Sequence, residues 1–233
     1  MTRSNKNNKM IDLSEMLKSV EPDQTIRATV QEAYNIMNSF RNKYFNKNYL
    51  RNPLSVIHHL RKGGMIIYIN HTPNSALKIN GKDAVYLDKP YSIYDYKGQE
   101  KLEEILRKNH DGAVEVSREG IIKSYRRMFS VVADDIAAEI KLVRKGEDAS
   151  YKDWGFKKPV FSRHKNTIAA TAKDPNIYGI TLSEETGDIR IMRAGKILYS
   201  TIPEEVCSDY HKIIHNKQVR TTLTLHHPTT LTL

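Results

Sequence analysis

Three short strings, far apart in the chain, carry side chains that together could bind and rearrange a nucleotide. Residues 109–113 read Asn-His-Asp-Gly-Ala, residues 162–165 read Ser-Arg-His-Lys, and residues 183–187 read Ser-Glu-Glu-Thr-Gly. Carboxylates suit a divalent metal ion, cationic groups suit phosphate, and small residues allow a ligand to approach the backbone. Each string alone is more typical of a turn or a solvated helix start, so the combination is the informative feature.

The string at 162–165 places Ser162 before a helical run, where serine is a favourable N-cap. The side chains of Arg163, His164 and Lys165 then crowd the first turn, where the helix dipole disfavours positive charge. An anion bound by these groups and by the helix N–H groups would resolve the conflict, so we expect a phosphate-binding turn. A basic, solvated helix start is the alternative.

The other two strings supply carboxylates and a hydroxyl. Asp111 could hold a divalent cation or accept a proton from a hydroxyl, and the Gly-Ala pair after it leaves space for a ligand. Strand alternation puts Ser183 and Glu185 on one face, where both could point at a metal-bound triphosphate. A charged hairpin turn with Gly187 at positive φ is the alternative for this string.

Hydrophobic periodicity predicts the elements that must position these strings. Helices are expected at 10–20, 24–40, 54–60, 99–108, 131–143, 163–173 and 203–216. Strands are expected at 65–70, 83–87, 112–117, 121–129, 178–183, 188–193 and 196–200. This order predicts an α/β fold, a mixed central β-sheet flanked by helices and preceded by a small helical segment. The expected division is a helical N-terminal appendage (1–62), a domain carrying the three strings (63–202), and a C-terminal helix with a flexible tail (203–233).

The composition favours a globular chain that meets polyanions. Of its 233 residues 39% are hydrophobic, and no stretch approaches the roughly 18 apolar residues that a membrane-spanning helix needs. No secretory signal pattern opens the sequence, and Cys207 is the only cysteine. These features argue against an internal disulfide or a cysteine-based zinc site and favour a cytoplasmic location. The net charge of +10 suits nucleotides, nucleic acids or acidic membranes.

The order of the strings resembles the diadenylate cyclase family, whose catalytic domain is shared with the DisA nucleotide-binding region. That family has an Asp-Gly-Ala motif, an Arg-His-Arg motif after a small hydroxyl residue, and a downstream Ser-Glu-Glu-Thr-Gly turn. Asp111, Gly112 and Ala113 match the first motif within a longer His-Asp-Gly-Ala-Val match, and residues 183–187 match the third. The resemblance covers residues 63–202 and implies a diadenylate cyclase-like form of the fold.

The resemblance implies a nucleotidyltransferase that condenses two ATP into the second messenger cyclic di-AMP and releases two pyrophosphates. The 3′-hydroxyl of each ATP would attack the α-phosphate of the other, so a homodimer or higher oligomer would bring two protomers face to face. Mg²⁺ or Mn²⁺ would be the cofactor, and no membrane would be involved. The implied site consists of Asp111, Gly112 and Ala113 as the catalytic motif; Asp111, His110 and Glu185 for the metal; Ser162, Arg163, Lys165 and Ser183 for the phosphates, with His164 shaping their turn; and Met128 and Phe129 for adenine.

Departures from the family pattern leave other functions open. Phe161 and Ser162 stand where the family has Gly-Thr, and Lys165 replaces an arginine. The stretch between the first two strings is also longer than expected. Lysine is a point charge, whereas arginine offers two parallel donors to phosphate. One alternative is therefore a catalytically degenerate domain that binds nucleotide as a sensor. The other is a basic nucleic-acid-binding protein, which would bind oligonucleotides with a steep salt dependence.

Overall fold

The computed structural model describes residues 12–45, 65–70, 79–80, 84–108, 112–129, 132–183 and 186–207. The helices are α1 (Leu13–Val20), α2 (Gln24–Tyr44), α3 (Tyr96–Lys108), α4 (Ala133–Glu139) and α5 (Ser162–Lys173). The strands are β1 (Met65–Asn70), β2 (Ile79–Asn80), β3 (Val85–Ser92), β4 (Ala113–Ser117), β5 (Ile121–Phe129), β6 (Tyr178–Leu182), β7 (Ile189–Arg193) and β8 (Lys196–Ser200). A 3₁₀ turn, Pro203–Glu205, follows β8. The predicted α/β fold, a mixed sheet flanked by helices, is confirmed.

The strands form one sheet in the order β2-β5-β4-β1-β6-β7-β8, with β3 also pairing along β5. β1 and β4 run parallel, and the other pairs are antiparallel. Position 66 of β1 lies opposite Ala113 on one side and Thr181 on the other. The start of β4 and the end of β6 therefore lie at the same end of the sheet.

The helices α1, α2 and α3 cover one face of this sheet and share its main core. Asp12 and Asp23 cap the first two helices, because Asp12 Oδ1 accepts from Ser14 N at 2.7 Å and Asp23 Oδ1 accepts from Thr25 N at 2.8 Å. The apolar stripe of α2 is buried as its periodicity predicts: Ile26, Val30, Ala33, Ile36 and Met37.

A buried polar cluster joins these N-terminal helices to the far edge of the sheet. Arg193 Nη1 donates to Glu21 Oε2 at 2.6 Å and to the Tyr178 hydroxyl at 2.6 Å, and that hydroxyl donates to Glu21 Oε2 at 2.9 Å. The Glu21 side chain is only 2% exposed. The N-terminal segment was expected to be an appendage, but its described helices pack within the core of the sheet.

The helices α4 and α5 cover the opposite face with a second core. The helix α5 packs closely on the strands because two glycines lie beneath it: a Cβ on Gly179 would overlap Thr167, and a Cβ on Gly195 would lie 2.8 Å from the Ala172 Cβ. Trp154 and Phe156, from the loop before α5, complete this core. Within the described ranges, none of the helices has both the length and the apolar character required to cross a bilayer.

Several helix boundaries differ from their predictions, and for two helices the reason is identifiable. The helix predicted at 131–143 is only seven residues long, because Lys141 takes φ 62° and Leu142 N donates to Ala137 O at 2.8 Å, an arrangement that ends a helix. The helix predicted from residue 99 begins at Tyr96, because Asp95 Oδ1 caps it by accepting from Gly98 N at 2.7 Å.

The strand predicted at 83–87 continues to Ser92, past a proline. Pro90 lies between the paired positions Tyr86 and Tyr91, where the register along β5 is interrupted, so its missing N–H costs no ladder hydrogen bond. The helix predicted at 54–60 lies outside the described residues. Of the helix predicted at 203–216, the described part forms only the 3₁₀ turn Pro203–Glu205 and the residues just after it.

Candidate functional site

The first and third strings flank the same end of the sheet. Ala113 at the start of β4 and Thr181 near the end of β6 both lie opposite position 66 of β1. Because neighbouring strands are about 4.8 Å apart, the two positions are separated by roughly 10 Å. Residues directly opposite each other project to the same face, so Ala113 and Thr181 share the face covered by α5. The sheet register therefore brings these two strings together.

The helix α5 brings the second string to this same end. Its C-terminal half lies over the β7–β8 turn, where Ala172 packs against Gly195. Its first turn lies toward the other end of the sheet, because His164 and Arg190 both pack on Phe156. The centroids of the His164 and Phe156 rings are 6.2 Å apart, and the Arg190 Cζ lies 5.4 Å from the centroid of the Phe156 ring. Arg190 of β7 lies opposite Thr181 of β6 in the sheet. The described residues of all three strings consequently lie at one end of the sheet, on the side covered by α5.

Gly112 packs its backbone directly against β5. Its φ is 100°, and a Cβ there would lie 2.7 Å from the Arg127 carbonyl oxygen and 2.8 Å from the Arg126 carbonyl carbon. Such distances leave no room for a side chain. A glycine is thus required both by the backbone conformation and by the neighbouring strand.

A β-bulge in β5 lies directly behind this glycine. Ala113 pairs with Arg127 and Glu115 pairs with Ser124, so two residues of β5, Tyr125 and Arg126, oppose one residue of β4. Arg126 takes φ 62°, a left-handed conformation that costs a non-glycine residue on the order of 1 kcal/mol. The bulge therefore places a strained arginine beside the Asp-Gly-Ala motif.

The first turn of α5 begins one residue earlier than the serine cap predicts. Phe161 is the N-cap, with φ −85° and ψ 175°, and within the described residues no side chain makes a capping hydrogen bond here. Ser162 is therefore the first helical residue, and its predicted N-cap role is wrong, because the Phe161 carbonyl already accepts from His164 N at 3.0 Å. An uncapped helix start offers N–H groups to an anion.

His164 is buried beneath this turn. Burial lowers the pKa of its imidazole from 6.5 to about 3, and the charges of Arg190 and Arg163 add to the effect. Its Nε2 atom has no hydrogen-bond partner among the described residues. The neutral ring packs edge-on against Phe156 at 6.2 Å between centroids. His164 thus fixes the position of the turn from inside.

We expect the burial of His164 to make stability depend on pH. Its pKa is lower in the folded chain than the ordinary 6.5, so the unfolded chain binds a proton more readily and the free energy of unfolding falls as pH drops from about 6.5 toward 3. The slope reaches at most about 1.4 kcal/mol per pH unit. Urea unfolding of the wild type and His164→Gln at pH 7, 6 and 5 measures it. The variant should have a shallower slope, and equal slopes would contradict a buried neutral ring.

Lys165 is directed away from the first turn toward the α4 side. Its ammonium donates to the Ala149 carbonyl at 2.9 Å and lies 3.6 Å from Asp134 Oδ1. Asp134 in turn accepts from Ala149 N at 2.9 Å. Lys165 therefore anchors the loop before α5.

The third string is braced by hydrogen bonds to its own turn. Ser183 is 5% exposed, its Oγ accepts from Thr186 N at 3.3 Å, and its carbonyl accepts from Gly187 N at 2.9 Å. Asp188 Oδ2 accepts from Thr186 Oγ1 at 2.5 Å, and its other oxygen accepts from Thr201 Oγ1 at 3.2 Å. This network fixes the backbone on either side of residues 184–185.

A buried ion pair beneath the site was missed by sequence reasoning. Arg190 Nε and Nη2 donate to the two carboxylate oxygens of Glu205 at 2.7 and 3.0 Å, with side chains only 2% and 0% exposed. Glu205 also accepts from Lys157 N at 3.0 Å and Ser200 Oγ at 2.9 Å. The available signal was an arginine between two isoleucines, Ile189 and Ile191, in the strand Ile189–Arg193. The pair ties β7 to the loop that leads into α5.

Several predicted site residues lie outside the described residues: His110, Asp111 and Glu185. For Met128 and Phe129 the description extends only to the backbone of β5, where both follow the position paired with Ala113. Gly112 follows Asp111 in the sequence, and Ser183 precedes Glu185 by two residues. Gly112 and Ser183 lie at the same end of the sheet. In the described ranges no group of three His, Cys, Asp or Glu side chains could hold a metal ion. The predicted ligand set remains a prediction.

No family model matches this sequence, and no curated protein matches it. Several solved structures are similar in part, and two of them illustrate the degree of similarity. The hypothetical membrane spanning protein from Bacillus cereus is 19% identical, over 81% of this chain and 95% of its own, with a TM-score of 0.42. A cysteine double mutant of DacA from Staphylococcus aureus is 18% identical, over 73% of this chain and 97% of its own, with a TM-score of 0.36. Similarities of this size do not assign a family or an activity.

Proposed function

We propose that this protein is a diadenylate cyclase that condenses two ATP into cyclic di-AMP and two pyrophosphates. The observation that supports this most is the convergence of the three strings at one end of the sheet, on the face covered by α5. Sequence order alone does not require it, because the strings are separated by long stretches of chain. Their convergence is what a nucleotide site built from all three would need.

The uncapped first turn of α5 is the proposed phosphate-binding element. Its N–H groups and the Ser162 hydroxyl would contact the phosphates, and the Arg163 guanidinium would neutralise their charge. His164, buried below, would hold this turn in place. Ser183 would support the opposite wall of the site.

Asp111 is the proposed group that takes the proton of the attacking 3′-hydroxyl. It directly precedes Gly112, whose backbone lies against the β5 bulge with no side chain between them. Met128 and Phe129 follow on that strand and are proposed to contact adenine. Because each protomer would hold one ATP, the active form is proposed to be an oligomer with two sites face to face.

The predicted donors fit a divalent metal ion in chemical type. Carboxylate oxygens of Asp111 and Glu185 are hard ligands that suit Mg²⁺ or Mn²⁺, and His110 would suit Mn²⁺. Ala113 and Thr181, on the strands next to these ligands in the sequence, are about two strand spacings apart. When bound, the ion would neutralise charge on the triphosphate.

Incubation of the purified protein with ATP and Mg²⁺ or Mn²⁺, with products resolved by mass, tests this proposal. We expect cyclic di-AMP and pyrophosphate, with specific activity that rises with protein concentration if two protomers are needed. The matched control is 3′-deoxy-ATP, which should bind but give no cyclic product, since the attacking hydroxyl is missing. ATP binding without any product would instead indicate a nucleotide sensor.

The sensor is a second candidate because of two side chains in the string at 162–165. His164 is buried, and the ammonium of Lys165 is held by Ala149 and Asp134. Two of the basic groups that could stabilise a transition state are thus used by the fold. A binding-only domain would keep ATP affinity and lack turnover.

A further inference from the structure

Arg126 has a positive φ, which is unusual for a non-glycine residue within a strand. Three non-glycine residues in the described ranges have positive φ: Arg126, Lys141 and Ala194. Lys141 ends a helix and Ala194 lies in a two-residue turn, where positive φ is common. Arg126 instead lies within β5. A strained residue in such a place is a reason to look for a function.

The bulge puts this residue against the Asp-Gly-Ala motif. A Cβ on Gly112 would lie 2.8 Å from the Arg126 carbonyl carbon, so the two backbones are in contact. Arg126 therefore lies beside Gly112, the residue that follows Asp111 in the sequence, at the end of the sheet where the described parts of the three strings lie. Bulges next to active sites commonly serve to aim a side chain.

The neighbouring cations are used elsewhere, whereas the Arg126 guanidinium has no partner in the part of the chain that the structure describes. Arg127 donates to the Tyr86 hydroxyl at 2.5 Å, stacks on that ring at 5.3 Å, and lies 3.7 Å from Glu115 Oε2. Lys165 is held by Ala149 and Asp134. Arg126 is partly exposed. The Lys165 ammonium is therefore not free to bind a phosphate, whereas Arg126 lies beside Gly112 and has no such partner among the described residues.

We propose that Arg126 is a substrate-contacting residue, which the β5 bulge presents to the triphosphate of ATP. This inference rests on the proposed function, because it assumes that the site binds a nucleoside triphosphate. A guanidinium can bind two phosphate oxygens at once, which a lysine cannot. We assign this contact to the outer phosphates, which AMP lacks.

Calorimetric titration of the full chain with ATP and with AMP tests the inference. Arg126→Asn removes the charge and keeps a residue that tolerates positive φ. We expect about a tenfold loss of ATP affinity, little change for AMP, and partial recovery in Arg126→Lys. The matched control is Lys123→Gln, which removes an exposed charge from the same strand and should leave ATP affinity unchanged. Arg126→Gly should melt no lower than the wild type, since glycine relieves the strained φ.

The outcomes separate this inference from the proposed function. If the wild type binds no ATP, the proposed function fails and this inference fails with it. If the wild type binds ATP and Arg126→Asn binds it equally well, only the inference is overturned. Equal losses in Arg126→Asn and Lys123→Gln would show a general charge effect and also overturn it. A lower melting temperature for Arg126→Gly would assign the residue a structural role instead.

Discussion

Asp111→Asn is expected to lower the rate of cyclic di-AMP formation by about 10² to 10⁴, while ATP still binds. The amide has nearly the size of the carboxylate but cannot accept the proton of the attacking hydroxyl, and such a loss costs a rate factor of this order. It is also a weaker ligand for a divalent cation. Product mass under saturating ATP measures the rate, and titration without metal measures binding.

The control for this prediction is Asp148→Asn, which removes one carboxylate from an exposed loop. It should leave both the rate and the binding unchanged. A wild-type rate in Asp111→Asn would rule out the assigned role of the Asp-Gly-Ala motif. Loss of ATP binding along with the rate would instead point to a role in holding the substrate.

Glu205→Gln is expected to lower the free energy of unfolding by about 3 kcal/mol. Its carboxylate accepts two hydrogen bonds from Arg190 and has an exposed fraction of 0%. Without that charge the Arg190 guanidinium stays buried and uncompensated, which is far more costly than losing an exposed pair. Urea unfolding at pH 7 measures the change.

Two further variants test this explanation. Arg190→Met with Glu205→Gln removes both charges and keeps a side-chain oxygen as acceptor for Lys157 N and Ser200 Oγ, so it should recover part of the lost stability. Glu139→Gln breaks the exposed pair between Lys173 and Glu139, whose side chains are 39% and 56% exposed, and should cost about 0.5 kcal/mol or less. If Glu205→Gln is no more costly than Glu139→Gln, the buried pair is not what holds the loop before α5.

The local elements were largely predictable because their signals are local. The strands at Met65–Asn70 and Ile121–Phe129 are predicted with their observed bounds, since each contains β-branched, aromatic and other apolar residues and follows a turn residue. The end of α4 was not predictable, because Lys141 takes a left-handed conformation that glycine usually adopts at the end of a helix.

The arrangement of the site was predictable only in part. That the three strings belong together followed from their residue types, but their meeting point depends on position 66 pairing with both Ala113 and Thr181. Register between distant strands has no local signal. The burial of His164 was hidden for the same reason, because Phe156 and Arg190 cover it from other elements. The roles of His110, Asp111 and Glu185 stay predictions.

The cluster of Glu21, Tyr178 and Arg193 has a consequence for how the chain folds. Its ion pair joins positions 172 residues apart, so it closes a very long loop. Folds dominated by such distant contacts form slowly, since the entropy of closure is lost before the contacts are gained. During synthesis from the N-terminus, α1 and α2 leave the ribosome long before β6, β7 and β8 exist to receive their apolar faces. The nascent chain must therefore keep those two helices from aggregating until most of the sheet has been made.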